Sequence, residues 1–163
     1  MKVMMRVAMD PDETSVDIQR SEALGSVPSD DEIASWVNLV LQHQHCSASV
    51  SVRLVDEVEI TQLNSQYRAL SEPTNVLSFP CDLNDEAGMR ILGDIVVCEP
   101  VVTREALEQG KNTGDHWAHI VIHGLLHLLG FDHIDSQQAE EMECLEISLL
   151  KEIDVGNPYL ESV

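Results

Sequence analysis

The segment HGLLHLLGFDH, residues 123–133, holds the residues best suited to chemistry. At about 100° per residue, His123 and His127 stand one turn apart on one helix face, roughly 6 Å from each other. Two imidazole nitrogens placed in this way can meet one cation at about 2.0–2.1 Å each. Gly130 follows the second histidine and offers the permissive backbone at which a helix can end. The chain can then fold back and bring in His133 as a third ligand. Three neutral imidazoles around Zn²⁺ leave one tetrahedral position open for water, which is the arrangement of a catalytic site. A bare H-x-x-x-H pair says little, because a lone histidine on an apolar helix usually needs no ligand. Three histidines beside Leu125, Leu126, Leu128 and Leu129 say more, since burying unpaired imidazoles is costly.

What the motif lacks bears on the reaction. Zinc metalloproteases use H-E-x-x-H, with the glutamate as general base, and here that position is Gly124. A glycine cannot take a proton, so peptide hydrolysis by that route is disfavoured on an otherwise zincin-like metal helix. A metal alone can still bring its bound water to a pKa near about 7. Phosphodiester cleavage, which needs charge neutralisation more than a strong side-chain base, fits better. It also needs a cation facing the developing charge. Arg68, just before the loop SEPTN, is a candidate because its planar guanidinium can grip a phosphate bidentately. From composition alone a surface salt bridge with Glu72 is the simpler use of Arg68. His116 and His119 extend the histidine stripe one and two turns upstream. There His119 is either a pocket or second-layer donor or a core histidine. His43 and His45 sit at a helix end, where they suit the dipole.

The acid–base balance narrows the partners. Nine basic against 29 acidic residues give a net charge of −20. Such a surface excludes nucleic-acid binding by bulk phosphate neutralisation, so a polyanion must be captured locally or delivered by a partner. Cys46, Cys81, Cys98 and Cys144 form no C-x-x-C pair, which argues against a structural zinc site, a redox motif or a disulfide framework. Residues 1–17 contain no uninterrupted apolar run of the signal-peptide kind. No stretch approaches the roughly 18 apolar residues of a membrane span. The expectation is a soluble, intracellular chain.

Its 163 residues suit a single domain, 1–163, large enough to bury a core. Val16 and Ile18 alternate with polar neighbours over 14–20, as do Val50, Val52 and Leu54 over 48–55, and both stretches are predicted strands. Ser29 to Glu32 reads as a capping box before an amphipathic helix over 30–44. A second helix is predicted over 56–67 and a short strand over 76–79, stopped by Pro80. A loop or hairpin connection is predicted for 81–90 and a buried strand for 92–98. Helices are predicted over 100–109, 116–129 and 136–153. The fold class is therefore α+β, with one mixed β-sheet of about four strands packed with about five helices.

Together, YRALSEPTNVLSFP (67–80), LGDIVV (92–97) and AHIVIHGLLHLLGFDHIDSQQAEEMECLE (118–146) resemble the YbeY family of bacterial endoribonucleases. The match runs in one order and register through about residues 50–153. The resemblance implies a cytoplasmic, zinc-dependent, single-strand-specific endoribonuclease that acts on ribosomal RNA. It further implies late ribosome assembly, maturation of the small-subunit RNA 3′ end and ribosome quality control, with the small subunit and its ribosomal or assembly-factor proteins as partners. The family's three metal ligands fall on His123, His127 and His133, and its essential arginine falls on Arg68. Pro73, Thr74 and Asn75 would line the cleft beside the metal. Asp94 and Asp132 also match family positions, and Asp132 either orients a ligand histidine or ends a turn. One Zn²⁺ per chain is expected, although three imidazoles would also accept Ni²⁺ or Cu²⁺. Two rivals remain on sequence grounds. One is a peptide or small-amide metallohydrolase using Glu72 or Asp132 as base. The other is a non-enzymatic assembly factor whose metal serves stability.

Overall fold

A computed structural model describes residues 3–8 and 14–160. The period-two stretches form strands β2 (Ser15–Arg20) and β3 (Ser49–Val55), which pair in parallel. Between them helix α1 (Asp30–His43) makes the crossover. Its capping box is formed: Ser29 Oγ accepts from the Glu32 N–H, and the Glu32 carboxylate accepts from the Ser29 N–H, both at 3.2 Å. Ile33, Trp36, Val37, Val40 and Leu41 are buried, as their helical spacing predicts.

Helix α2 (Glu57–Arg68) leads through a loop to strands β4 (Val76–Asn84) and β5 (Arg90–Cys98). Helices α3 (Glu99–Glu108), α4 (Thr113–Leu128) and α5 (Ser136–Glu152) follow. The sheet runs β1-β2-β3-β5-β4, where β1 is Val3–Ala8. The pairs β1–β2 and β4–β5 are antiparallel and the two inner pairs are parallel, so the sheet is mixed and the fold is α+β.

Three expectations need correction. Among the described residues the sheet has five strands rather than about four, because residues 3–8 add β1 along β2, from Val3 opposite Arg20 to Ala8 opposite Ser15. The acidic residues that follow, Asp10, Asp12 and Glu13, lie outside the described residues. Second, Pro80 does not stop its strand. β4 is an edge strand, so a residue without an N–H is tolerated there, and a register shift between Pro80 and Leu83 absorbs the irregularity. Residues 81–84 and Arg90 are therefore strand, and the connection shrinks to a turn in which Asp85 Oδ1 accepts from the Ala87 and Met89 N–H groups. Third, α4 begins at Thr113 rather than at His116, because the Asn112 side chain accepts from the Asp115 N–H at 3.1 Å and caps it.

Apolar side chains alternate between the two faces of the sheet. Val50, Val52, Leu54, Val76, Ile95 and Val97 point to the face covered by α1 and α4, with α5 packed on α4. Val55, Leu77, Val96 and Cys98 point the other way, to Ile60 of α2 and Val101 of α3. The metal-binding helix predicted from sequence, α4, thus lies in the larger core and packs against β4, β5, α1, α3 and α5. Among the described residues no helix is long and apolar enough to cross a membrane.

Candidate metal centre

Helix α4 sits close to the sheet because of Gly124. A Cβ at this position would lie 3.0 Å from Val76 Cγ2 and 3.4 Å from both Ile95 Cγ2 and Ser78 Oγ. The Ser78 hydroxyl uses that proximity to donate to the Gly124 carbonyl at 2.8 Å. The missing protease glutamate therefore has a packing reason, since a carboxylate side chain would be driven into β4 and β5. Gly124→Glu is expected to lose about 3 kcal/mol or more through overpacking and a buried charge, read as a lowered midpoint in urea unfolding. An unchanged midpoint would show that the helix can lift off the sheet at little cost.

Helix α4 ends by a Schellman motif. The Phe131 N–H bonds to the Leu126 carbonyl and the Gly130 N–H to that of His127, each at 3.0 Å, with Gly130 at φ 98°. Phe131 tucks against the core, and the reversed chain carries Asp132 and His133 back over the helix face. The three histidines named from the sequence come together here. His123 Nε2 and His127 Nε2 are 3.1 Å apart, and one nitrogen from each of the three rings lies within 4.8 Å of the others. Zn–N bonds of about 2.0–2.1 Å in a tetrahedron require donors separated by about 3.3 Å, so the trio fits such an ion. His123 and His127 are half-buried and His133 is exposed, which leaves access from solvent. Burial, then the charges of His123 and His133, lower the pKa of His127 and favour the neutral ring that binds metal.

Beside the histidines opens a cleft of about 490 Å³ whose wall includes Arg68, Thr74, Asn75, Ser78 and Asp132. Arg68 is exposed at the C-terminal end of α2, where Ala69 in left-handed conformation turns the chain. The salt bridge with Glu72 that composition favours does not form: among the described residues no ion pair includes Arg68. The loop after Arg68 is pinned from several sides. Asn64 donates to the Glu72 carbonyl at 2.9 Å, and the Asn75 carbonyl accepts from the Cys98 N–H at 2.8 Å. The Asn75 amide donates to Glu105 Oε1 at 3.1 Å, and His116 Nε2 approaches the same oxygen at 3.0 Å. Burial raises the Glu105 pKa, but these two hydrogen bonds together with the charges of His116 and Arg104 outweigh it and hold the carboxyl below its ordinary range. Pro73 is absent from the cleft wall, although Thr74 and Asn75 belong to it.

Asp132 lines the cleft, and its Oδ1 accepts from the backbone N–H of His133 at 2.8 Å. Asp94 is exposed on β5 and does not line the cleft. The carboxylate that does meet a candidate ligand went unread in the sequence. Glu146 of α5 is fully buried, and its Oε1 lies 2.6 Å from His123 Nδ1. Its Oε2 lies 2.9 Å from His119 Nε2 and also accepts from the Tyr159 hydroxyl. Burial pushes this carboxyl's pKa up, but the bonds from His119 and His123, the charge of His123 and the bond from Tyr159 hold it at about 2. The signal was present in the sequence, since Glu146 stands four residues after Met142 on the apolar stripe of α5, where an acid needs a partner.

The chain is similar to known proteins over most of its length. Residues 17–154 match the family model described as Endoribonuclease YbeY. A Pseudomonas putida protein named Endoribonuclease YbeY is 48% identical over 147 residues, covering 90% of this chain and 93% of its own length. One of the same name from Alteromonas mediterranea is 48% identical over 134 residues, covering 82% and 85%. The solution structure of TM1509 from Thermotoga maritima superposes with a TM-score of 0.54 at 28% identity, covering 84% of this chain and 91% of that one. With most of its length matched in both sequence and fold, the chain belongs to the YbeY endoribonuclease family.

Proposed function

We propose that this protein is a zinc-dependent endoribonuclease that cuts single-stranded RNA during late ribosome assembly. Maturation of the small-subunit RNA 3′ end and ribosome quality control are its intended tasks, performed in the cytoplasm by the chain acting as one domain. The observation that carries the reading is the convergence of His123, His127 and His133 on one point beside an open cleft that also holds Arg68. Family membership supports RNA as the substrate.

In this reading His123, His127 and His133 hold the ion, and Arg68 is the fourth catalytic group. A bound Zn²⁺ supplies Lewis acidity and lowers the pKa of water at its open position. The exposed guanidinium of Arg68, without an ion-pair partner among the described residues, grips the scissile phosphate and stabilises the negative charge that grows on it. Asn75, held by Glu105, and Ser78, held by Gly124, keep their part of the cleft wall in place. Peptide cleavage is poorly served, because the position of a protease base is Gly124, packed against Val76. With a net charge of −20, most of the surface repels RNA. Docking on the small subunit and its proteins would therefore deliver the substrate, and unaided affinity should fall with salt.

The test is direct. Purified protein should cleave a single-stranded ribosomal RNA fragment, stop when a chelator strips the metal, and resume with added Zn²⁺, while casein stays intact. Casein cleavage, or RNA cleavage indifferent to chelation, would overturn the proposal.

A further inference from the structure

Glu146 does more than fill a gap in the core. A carboxylate with no exposed surface is costly to bury unless each oxygen finds donors, and here three converge on it from two parts of the chain. His123 and His119 come from α4, one turn apart, and Tyr159 comes from the segment after α5. Tyr159 also stands against the His119 ring, edge to face at 5.5 Å between centroids, and its hydroxyl is 3.4 Å from His119 Nε2.

We propose that Glu146 is a positioning residue for the metal centre: it fixes His123 in the Nδ1–H tautomer and aims its Nε2 lone pair at the point shared with His127 and His133. This inference rests on the metal reading given above. The geometry leaves the ring little choice. An ionised carboxylate only accepts, so the nitrogen 2.6 Å from Oε1 carries the proton. In the neutral ring, the form that binds metal, the opposite nitrogen is then bare, and it is the one 3.1 Å from His127 Nε2. His119 and Tyr159 occupy Oε2 and stop the carboxylate from swinging away. His119, His123 and Glu146 also lie close enough to hold an ion, and the zinc count in the experiment below separates that arrangement from the positioning role.

The experiment compares wild type with Glu146→Gln, and with Tyr159→Phe, which leaves the carboxylate in place. Zinc affinity is measured by competition with a chromophoric chelator, and the His123 tautomer by ¹⁵N NMR of the metal-free proteins near pH 8. Wild type should take up one zinc per chain and show the Nδ1–H form of His123. In Glu146→Gln, zinc should bind about 10–100-fold more weakly and the two tautomers should mix. Tyr159→Phe should change zinc affinity in the same direction but less. Wild-type His123 in the Nε2–H form would overturn the inference, with or without a folded Glu146→Gln protein. So would zinc affinity within twofold of wild type in Glu146→Gln, or two zinc per wild-type chain with His119 as a ligand. A wild-type protein that takes up no zinc refutes the metal reading itself, which separates the two failures.

Discussion

Replacing Arg68 by alanine should leave the fold and the metal content intact while lowering RNA cleavage by about 10²–10³-fold. Magnitudes of that order accompany loss of one preorganised donor to a developing oxyanion. Arg68 is exposed, and among the described residues it has no ion-pair partner, so truncation removes little that holds the protein together. A stability change within about 0.5 kcal/mol is expected. Arg68→Lys should recover only part of the rate, since it restores the charge but not the planar fork that grips two phosphate oxygens. Initial rates on a single-stranded RNA, with melting curves and zinc content on the same samples, check all three points. An Arg68→Ala protein that cleaves as fast as wild type would remove the arginine from the mechanism.

His127→Ala should have the larger effect, abolishing both metal uptake and cleavage. Its Nε2 lies 3.1 Å from that of His123, and its ring belongs to the two closest of the three imidazole pairs, at 4.6 Å from His123 and 5.1 Å from His133 between centroids. Two remaining histidines, one of them exposed, make a poor chelate. The variant should nevertheless fold, because α4 is anchored by Trp117, Ile122, Leu125 and Leu126, all nearly or fully buried, and not by its histidines. Its melting temperature should match that of metal-free wild type within a few degrees, and added zinc should raise only the wild-type value, by mass action on the folded state. RNA cleavage by metal-free His127→Ala at the wild-type rate would exclude the centre from catalysis.

The sequence displays local devices well and distant partnerships poorly. The capping box of Ser29 and Glu32 spans four residues, and the histidine trio spans eleven with Gly130 between, so both can be read without knowing what surrounds them. Strand β1 lacks such a marker, because what defines it is its pairing with β2. Pro80 misleads for the same reason: whether proline ends a strand depends on whether that strand lies at the sheet edge, which local sequence does not reveal. Gly124 announces that a protease base is absent but not why, since Val76 and Ile95 approach from strands far away in the chain. Glu146 shows the same limit in the site itself. An acid on an apolar stripe signals a buried partner, yet that the partners are His123 and His119 follows only from how α5 packs on α4.

The most direct measurement is the metal content per chain of the native protein and of His127→Ala, purified side by side and read by elemental analysis. One zinc per native chain and none in the variant is the predicted result. Native protein free of any divalent metal, or a variant that keeps its full complement, would contradict a centre built on His123, His127 and His133.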